Sequence, residues 1–467
     1  MDAKYQRIPI KNTSTKLKGI VSLSIIFLMV APTPLVYAQA TSGCEISLKP
    51  WKTYPFRPPG TEIFFPDDEG SHDTSQFPIE WWYANFHLIG QTTGHEYGSF
   101  VAFYHVQSTV AEKQEIRIFS ISDLATKKTY TTAQVGTLTA SNDHLDLSFK
   151  HSSDGYEMSS QNNYAATNTN SFSLNQDANM KTMGTTVDQE MIKSTSQDFQ
   201  SNSDELLEYD YWYTKSNDQG FLPFQYTLIT SGNSQQDYQT MELVVDMNCL
   251  KQPLIVGGDG VINFENREYS FYYSLTKIDI SGIIIVHGIK EQVVGQGWID
   301  HQWGNFINQN PPPLGLTITY EWFSIKFDDN QEIMVGDAWD RKTGKKLDLS
   351  FTGGLNLVKS DGSSELLDNY KITTLKLWND SIDKRFFSSK WHITETSKSI
   401  DLTIDPIYPD QVIRAKEDYP LFQQFLEKLL PGACFWNGVC TVTGTINGIP
   451  VNGKAYVELT HCYNSCR

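Results

Sequence analysis

The strongest constraint on the fold is a period of two. Ile79–Ile89 reads IEWWYANFHLI, with Trp82, Ala84, Phe86 and Leu88 on one parity and Trp81, Tyr83, Asn85 and His87 on the other. Successive side chains of a strand point to opposite faces, so this run predicts a strand with one apolar and one aromatic–polar face. Gly90–Gly94 supplies a turn and Tyr97–Val106 alternates again, which predicts a hairpin. A second stretch, Gly295–Phe306 (GQGWIDHQWGNF), places Trp298, Asp300 and Gln302 on one face and Ile299, His301 and Trp303 on the other. A half-buried strand carries apolar residues on its core face only, whereas here each face holds an ionisable residue beside a Trp. The pattern points to a polar site lined with aromatics; the plainer alternative is a strand rim with satisfied polar groups.

Further strands are predicted downstream. In Tyr320–Asp329 (YEWFSIKFDD), Phe323, Ile325 and Phe327 share an apolar face opposite Tyr320, Trp322 and Ser324, and Asp329-Asn330 marks a turn. The return strand, Glu332–Asp340, sets Ile333, Val335, Asp337 and Trp339 on one parity. A carboxyl buried in that apolar stripe has a raised pKa, which a general acid needs near neutral pH. The alternative is a strand-end Asp at the surface. Asn162–Ser203 is rich in Asn, Ser, Thr and Gln and reads as a mobile loop or edge. Pro311-Pro312-Pro313 reads as a stiff loop beside the site, a lid or a spacer. Tyr419–Leu430 has helical spacing and stops at Pro431-Gly432. With Val/Ile/Thr/Tyr-rich runs outnumbering helical patterns, the chain is mainly β. Cys249–Gly260 suggests a boundary between domains at 39–255 and 256–467.

The N-terminus predicts export. Lys4, Arg7, Lys11, Lys16 and Lys18 precede an apolar run at Gly19–Ala31, too short to span a bilayer, and Val36-Tyr37-Ala38 fits a cleavage site after residue 38. A lipoprotein signal at Cys44 is the runner-up, but Thr41-Ser42-Gly43 lacks the usual Leu. No later segment is apolar enough to span a membrane. A net charge of −17 argues against nucleic acid or anionic membrane as partner. Cys44, Cys249, Cys434, Cys440, Cys462 and Cys466 are an even set in an exported chain, so disulfides are expected, with Cys434/Cys440 and Cys462/Cys466 close enough for local pairs. There is no G-x-S-x-G elbow, H-E-x-x-H, Walker loop or strand-linked G-x-G-x-x-G. The histidines show no evident metal-ligand spacing. A cofactor-free, metal-free acid–base or binding function remains, with a hydrophobic small molecule as the expected partner.

Four motifs occur in order: Glu80-Trp-Trp-Tyr83, Trp298-Ile-Asp-His-Gln-Trp-Gly304, Trp322-Phe-Ser-Ile-Lys-Phe-Asp-Asp329, and a C-terminal series from Phe435-Trp-Asn-Gly through Tyr456-Val-Glu-Leu-Thr. Together they resemble the AttH-like / carotenoid 1,2-hydratase (hydroxyneurosporene synthase) family over roughly Phe65 to Thr460. The resemblance implies two consecutive lipocalin-like antiparallel β-barrels, here with a short helix in the C-terminal half. An apolar ligand would lie between or within them. It also implies a hydro-lyase or cyclase that protonates an alkene of an isoprenoid-like or polyketide-like substrate, or else a carrier without turnover. His301 and Trp303 match the family's catalytic Asp-His-x-Trp-Gly motif. Asp337 is the implied acid, although Val335 stands where the hydratases have a Tyr, so a substrate other than a carotenoid is expected. Trp81, Tyr83, His87, Trp298, Asp300, Tyr320, Trp322 and Trp339 are the expected ligand-binding residues.

Overall fold

The computed structural model describes residues 49–108, 111–151, 208–264, 268–305, 318–340, 343–348, 352–414 and 435–463. The first eight strands run β1 (Ile79–Gly90), β2 (Glu96–Ser108), β3 (Ala111–Asp123), β4 (Lys128–Ala140), β5 (Asp146–His151), β6 (Tyr209–Asn217), β7 (Gly220–Asn233) and β8 (Thr240–Cys249). Each pairs antiparallel with the next. Two short strands follow, β9 (Leu254–Ile255) and β10 (Val261–Asn263), then two long ones, β11 (Tyr269–Val286) and β12 (Ile289–Gly304). Strand β11 pairs with β8, and β12 pairs with β1. These two contacts close a ten-stranded barrel around Trp82, Phe86, Phe103, Phe149, Trp212 and Tyr273.

The alternation read in β1 and β12 decides which side chains enter that barrel. Trp82, Ala84, Phe86 and Leu88 point inward, as do Ile299 and Trp303. The opposite parity of β1 and β11, including Tyr83 and Tyr272, faces the second sheet. Strand β11 carries one extra residue between Leu275 and Ile278, opposite Trp298. A bulge of this kind re-aims the side chains beside it.

The second sheet comprises β13 (Ile318–Phe327), β14 (Glu332–Asp340), β15 (Leu355–Val358), β16 (Ser364–Leu367), β17 (Tyr370–Asp380), β18 (Arg385–Glu395), β19 (Ile400–Pro406), β20 (Trp436–Ile446) and β21 (Ile449–Leu459). Their order is β16-β15-β14-β13-β21-β20-β19-β18-β17, with β16 and β17 at the edges. Its own core holds Phe323, Val335, Trp391, Leu402, Trp436 and Val457.

Two expectations are corrected here. Only the first sheet closes, so the fold is one barrel and one open sheet rather than two consecutive barrels. A four-residue β16 offers too short a ladder to seal against the eleven-residue β17. Strand β17 also exposes Lys371 and Lys376, and charged edges resist further pairing. The pairing of all six cysteines is overturned as well, although Cys462 is disulfide-bonded. Cys249 and Cys440 are free thiols buried in separate cores, so Cys440 cannot be paired with Cys434. No disulfide joins two described cysteines.

The signal peptide, the Asn162–Ser203 segment, the Pro311–Pro313 loop and the Tyr419–Leu430 helix lie outside the described residues. Among the described residues helical geometry is confined to two single turns, Pro50–Lys52 and Asp67–Glu69, and no helix is long and apolar enough to cross a membrane.

Candidate active site

Between the barrel's outer face and the facing side of the open sheet lies a cleft with a cavity of about 120 Å³. Alternation fills it from both sides. Trp81 and Tyr83 come from β1, Tyr272 from β11, and Asp300 and Gln302 from β12; Tyr320 and Trp322 come from β13 and Glu458 from β21. Trp322 meets Tyr83 edge-on at 5.5 Å and Trp298 at 6.1 Å between ring centroids. The result is an aromatic chamber that holds the carboxyl groups of Asp300 and Glu458; Glu321 also lines it, but Ser388 and Trp391 hold its carboxyl on the other face of β13.

Both carboxyls are held by neutral donors. Asp300 Oδ1 accepts from the Ser274 hydroxyl and from Trp298 Nε1 at 2.9 Å. Glu458 accepts from the Tyr320 hydroxyl through Oε1 and from Asn437 Nδ2 at 2.9 Å through Oε2. Burial disfavours the ionised form and outweighs these bonds. It pushes Asp300 up to about 7, and Glu458 up to about 7 with the nearby Asp300 adding to the rise. Two carboxyls poised near neutrality among aromatic faces can give and take a proton at neutral pH.

His301 and Trp303 lie on the inner face of β12 and form a different cluster. His301 Nδ1 donates to the Asp68 carbonyl at 3.0 Å, and its Nε2 meets Glu80 Oε1 at 2.9 Å. His72 bridges the same Glu80 oxygen through Nδ1 at 2.7 Å and Asp68 Oδ1 through Nε2 at 3.1 Å, and stacks on Trp303 at 4.1 Å. Burial disfavours the charge on His72, but Asp68 and Glu80 outweigh it and hold its pKa up at about 9. Glu80 is likewise opposed by burial, yet the two imidazoles hold it down to about 2. Burial, partly offset by Glu80, leaves His301 below its ordinary value. The ligand atoms of His72, Glu80 and His301 lie within 4.8 Å of one another, a set of donors able to hold a metal ion. A metal there would have to displace both Glu80 hydrogen bonds.

Residues 57–462 match the family described as AttH-like. The chain belongs to the AttH-like family. Its fold is shared by a protein assigned as an AttH from Nitrosomonas europaea, at 20% identity over 86% of this chain and 98% of that one, with a TM-score of 0.56. It is shared too by kievitone hydratase from Nectria haematococca, at 14% identity over 88% of this chain and 98% of that one, with a TM-score of 0.52. At such identities the likeness is one of fold. No curated protein matches the chain significantly.

This AttH-like chain distributes its expected site residues over several places. Trp81, Tyr83, Asp300, Tyr320 and Trp322 meet in the cleft, with Trp298 packed behind them. His301 and Trp303 are enclosed in the barrel on the far side of β12. Asp337 faces the open sheet's own core, where Lys346 binds its Oδ2 at 2.7 Å and its Oδ1 has no partner. Burial raises its pKa, with Lys346 opposing. Trp339 stacks on His461 at 5.0 Å, and His87 lines a second cleft. Sequence reading did not single out Tyr272 or Glu458 as site residues. For Glu458 a signal existed: a carboxylate between Val457 and Leu459 in a run that otherwise reads as a closing strand.

Proposed function

We propose that the cleft binds an apolar isoprenoid-like or polyketide-like molecule and that Asp300 protonates an alkene of that molecule, making the chain a hydro-lyase or cyclase. The observation that carries this reading is the pair Asp300 and Glu458, both pushed to about 7 inside an aromatic chamber. The carboxyl proton of Asp300 passes to one alkene carbon, and the π electrons form the new C–H bond. The positive charge left on the neighbouring carbon lies against the faces of Trp322 and Trp81, where cation–π attraction stabilises it. Water attacks that carbon and releases its proton to Glu458, or an internal alkene attacks it, closing a ring, and the carbocation so formed loses a neighbouring C–H proton to Glu458. The shared fold with kievitone hydratase, a hydratase by name, supports the assignment. Asp337 is the competing acid, being buried with one free oxygen.

A second reading is a carrier. Its support is that Asp300 and Glu458 already have donors within the protein, as groups fixed for binding do.

The test incubates the full chain with a panel of such alkenes in heavy-oxygen water. A labelled product, or a cyclised isomer of the substrate, is expected. Asp300→Asn should lower its rate about 10²–10⁴-fold while leaving ligand binding intact. A full rate in Asp300→Asn and loss in Asp337→Asn moves the acid to Asp337. Ligand retained unchanged by every variant, with affinity lost only in Trp322→Ala, establishes the carrier.

A further inference from the structure

We propose that a second cleft, at the opposite end of the same interface, is an oxyanion site that takes a phosphate or carboxylate group between Lys277, Lys326 and His87. This site stands independently of the reaction assigned above. The same strands build both clefts. Strand β1 runs from Tyr83 to His87, β12 from Asp300 to Gln296, and β13 from Trp322 to Lys326. Four residues of strand separate the two lining sets, about 13 Å at about 3.3 Å per residue. Between them Asn85 is fully buried and bonds Ser324 Oγ at 3.2 Å. The second cleft has a volume of about 940 Å³ and opens to solvent.

Its floor holds basic groups on which the internal counter-charge, Glu332 opposite Lys326, acts only from beyond ion-pair distance. Lys277 is 6% exposed, Lys326 4% and His87 7%. Among the described residues neither lysine has a carboxylate within ion-pair distance. The hydrogen bond from Lys326 to Asn85 Oδ1 is long, at 3.5 Å. Neither ring nitrogen of His87 makes a hydrogen bond of normal geometry. Another buried lysine of this chain shows what satisfaction looks like: Lys251 holds Glu332 at 2.6 Å and two backbone carbonyls at 2.5 and 2.7 Å. Lys277 sits in the β11 bulge, the irregularity that lets its side chain leave the barrel's packing.

The other charges around the cleft do not fill this role. Lys215 pairs with Asp246 at 2.8 Å, and Lys454 pairs with Glu96. Asp279 and Asp328 are exposed and lie at the rim. Glu332 gives its Oε2 to Lys251 and reaches Lys277 and Lys326 only from beyond ion-pair distance, and Asp300 belongs to the first cleft. Leaving buried cations unpaired is costly, and charge-assisted hydrogen bonds to an entering oxyanion recover that cost. Such a basic floor is unexpected in a chain of net charge −17. Burial first and Lys277 next push Lys326 down to about 7, and burial, Lys326 and Lys454 hold His87 well below its ordinary value. A bound anion reverses both effects, so binding takes up protons.

Calorimetric titration of the full chain with inorganic phosphate, and separately with dodecyl phosphate, tests the site. One saturable site is expected, weakened about tenfold or more by Lys326→Met and by Lys277→Met, but within about twofold for the rim variant Lys215→Met. Saturation by inorganic phosphate assigns a free oxyanion. Saturation by dodecyl phosphate alone assigns the head group of an amphiphile. Either supports the site. No saturation by either probe up to about 20 mM, or affinity unchanged in both buried-lysine variants, overturns it. Where a variant does not fold, the wild type decides alone: heats in two buffers of different ionisation enthalpy must show proton uptake, and equal heats reject the proposal.

Discussion

The inside of the barrel and the cleft outside it bury carboxyl groups equally well and treat them in opposite ways. Glu80 is 1% exposed and Asp300 4%. Glu80 is held down to about 2 and Asp300 pushed up to about 7. Adjacent residues of β12 make the difference: His301 points in and gives Glu80 an ionisable partner, while Asp300 points out among Ser, Trp and Tyr. Burial alone therefore does not fix the charge of a carboxyl group. The partners decide whether it serves as a fixed anion or as a proton donor.

Removing Glu80 should produce the largest effect. Glu80→Ala leaves buried imidazoles without their anion and should cost about 3–5 kcal/mol in urea unfolding. A loss below about 1 kcal/mol would erase the contrast between the two regions. The depressed Glu80 contributes stability present above about 4.5 that is lost as pH falls toward 2, and His72 contributes stability present below about 6.5 that is lost as pH rises through 9.

Asp300 and Glu458 should act in the other direction. Their raised values mean that the folded state holds protons the unfolded state has released. They therefore lower stability as pH rises from about 4 through 7, and their contribution stays lost above that. Asp300→Asn combined with Glu458→Gln should flatten this slope and gain on the order of 2–4 kcal/mol at alkaline pH, measured by unfolding across a pH series. An unchanged slope would show that these groups are ionised in the fold. The finest adjustment is Ser274→Ala, which removes one donor from Asp300. It should raise that group's pKa further and shift stability by about 1 kcal/mol, read from the carboxyl infrared band during a pH titration.

Much of this contrast was legible in the sequence. Two-fold alternation assigned Trp81 and Tyr83 to one face of β1 and Trp82 to the other, and it separated Asp300 from His301. Those assignments follow from strand geometry and need no knowledge of the fold. The meeting of Asp300 with Glu458 was not legible, because they stand 158 positions apart in the chain and only the packing of one sheet on the other brings them together. Nor was the pairing of His301 with His72 and Glu80, since His72 lies in an irregular segment without periodicity. For Asp337 the alternation left a buried carboxyl and a surface strand end both open, and its partner Lys346 follows the strand in a segment whose local pattern carried no signal. Closure failed as a prediction for the second sheet because it depends on matched edge lengths, which alternation within each strand does not report.

The way the barrel closes also sets an order of events in time. Strand β1 is completed by β12, with Ile79 opposite Gly304, and β8 by β11. A chain emerging from the ribosome therefore carries β1 and β8 as open edges until residues up to Gly304 are available. Such late, distant pairings make folding slow and leave strand edges free to pair with other chains. Synthesis of this protein thus includes an interval in which β1, with its paired tryptophans Trp81 and Trp82, is open to misassociation, and any fragment ending before β11 is held in that condition permanently.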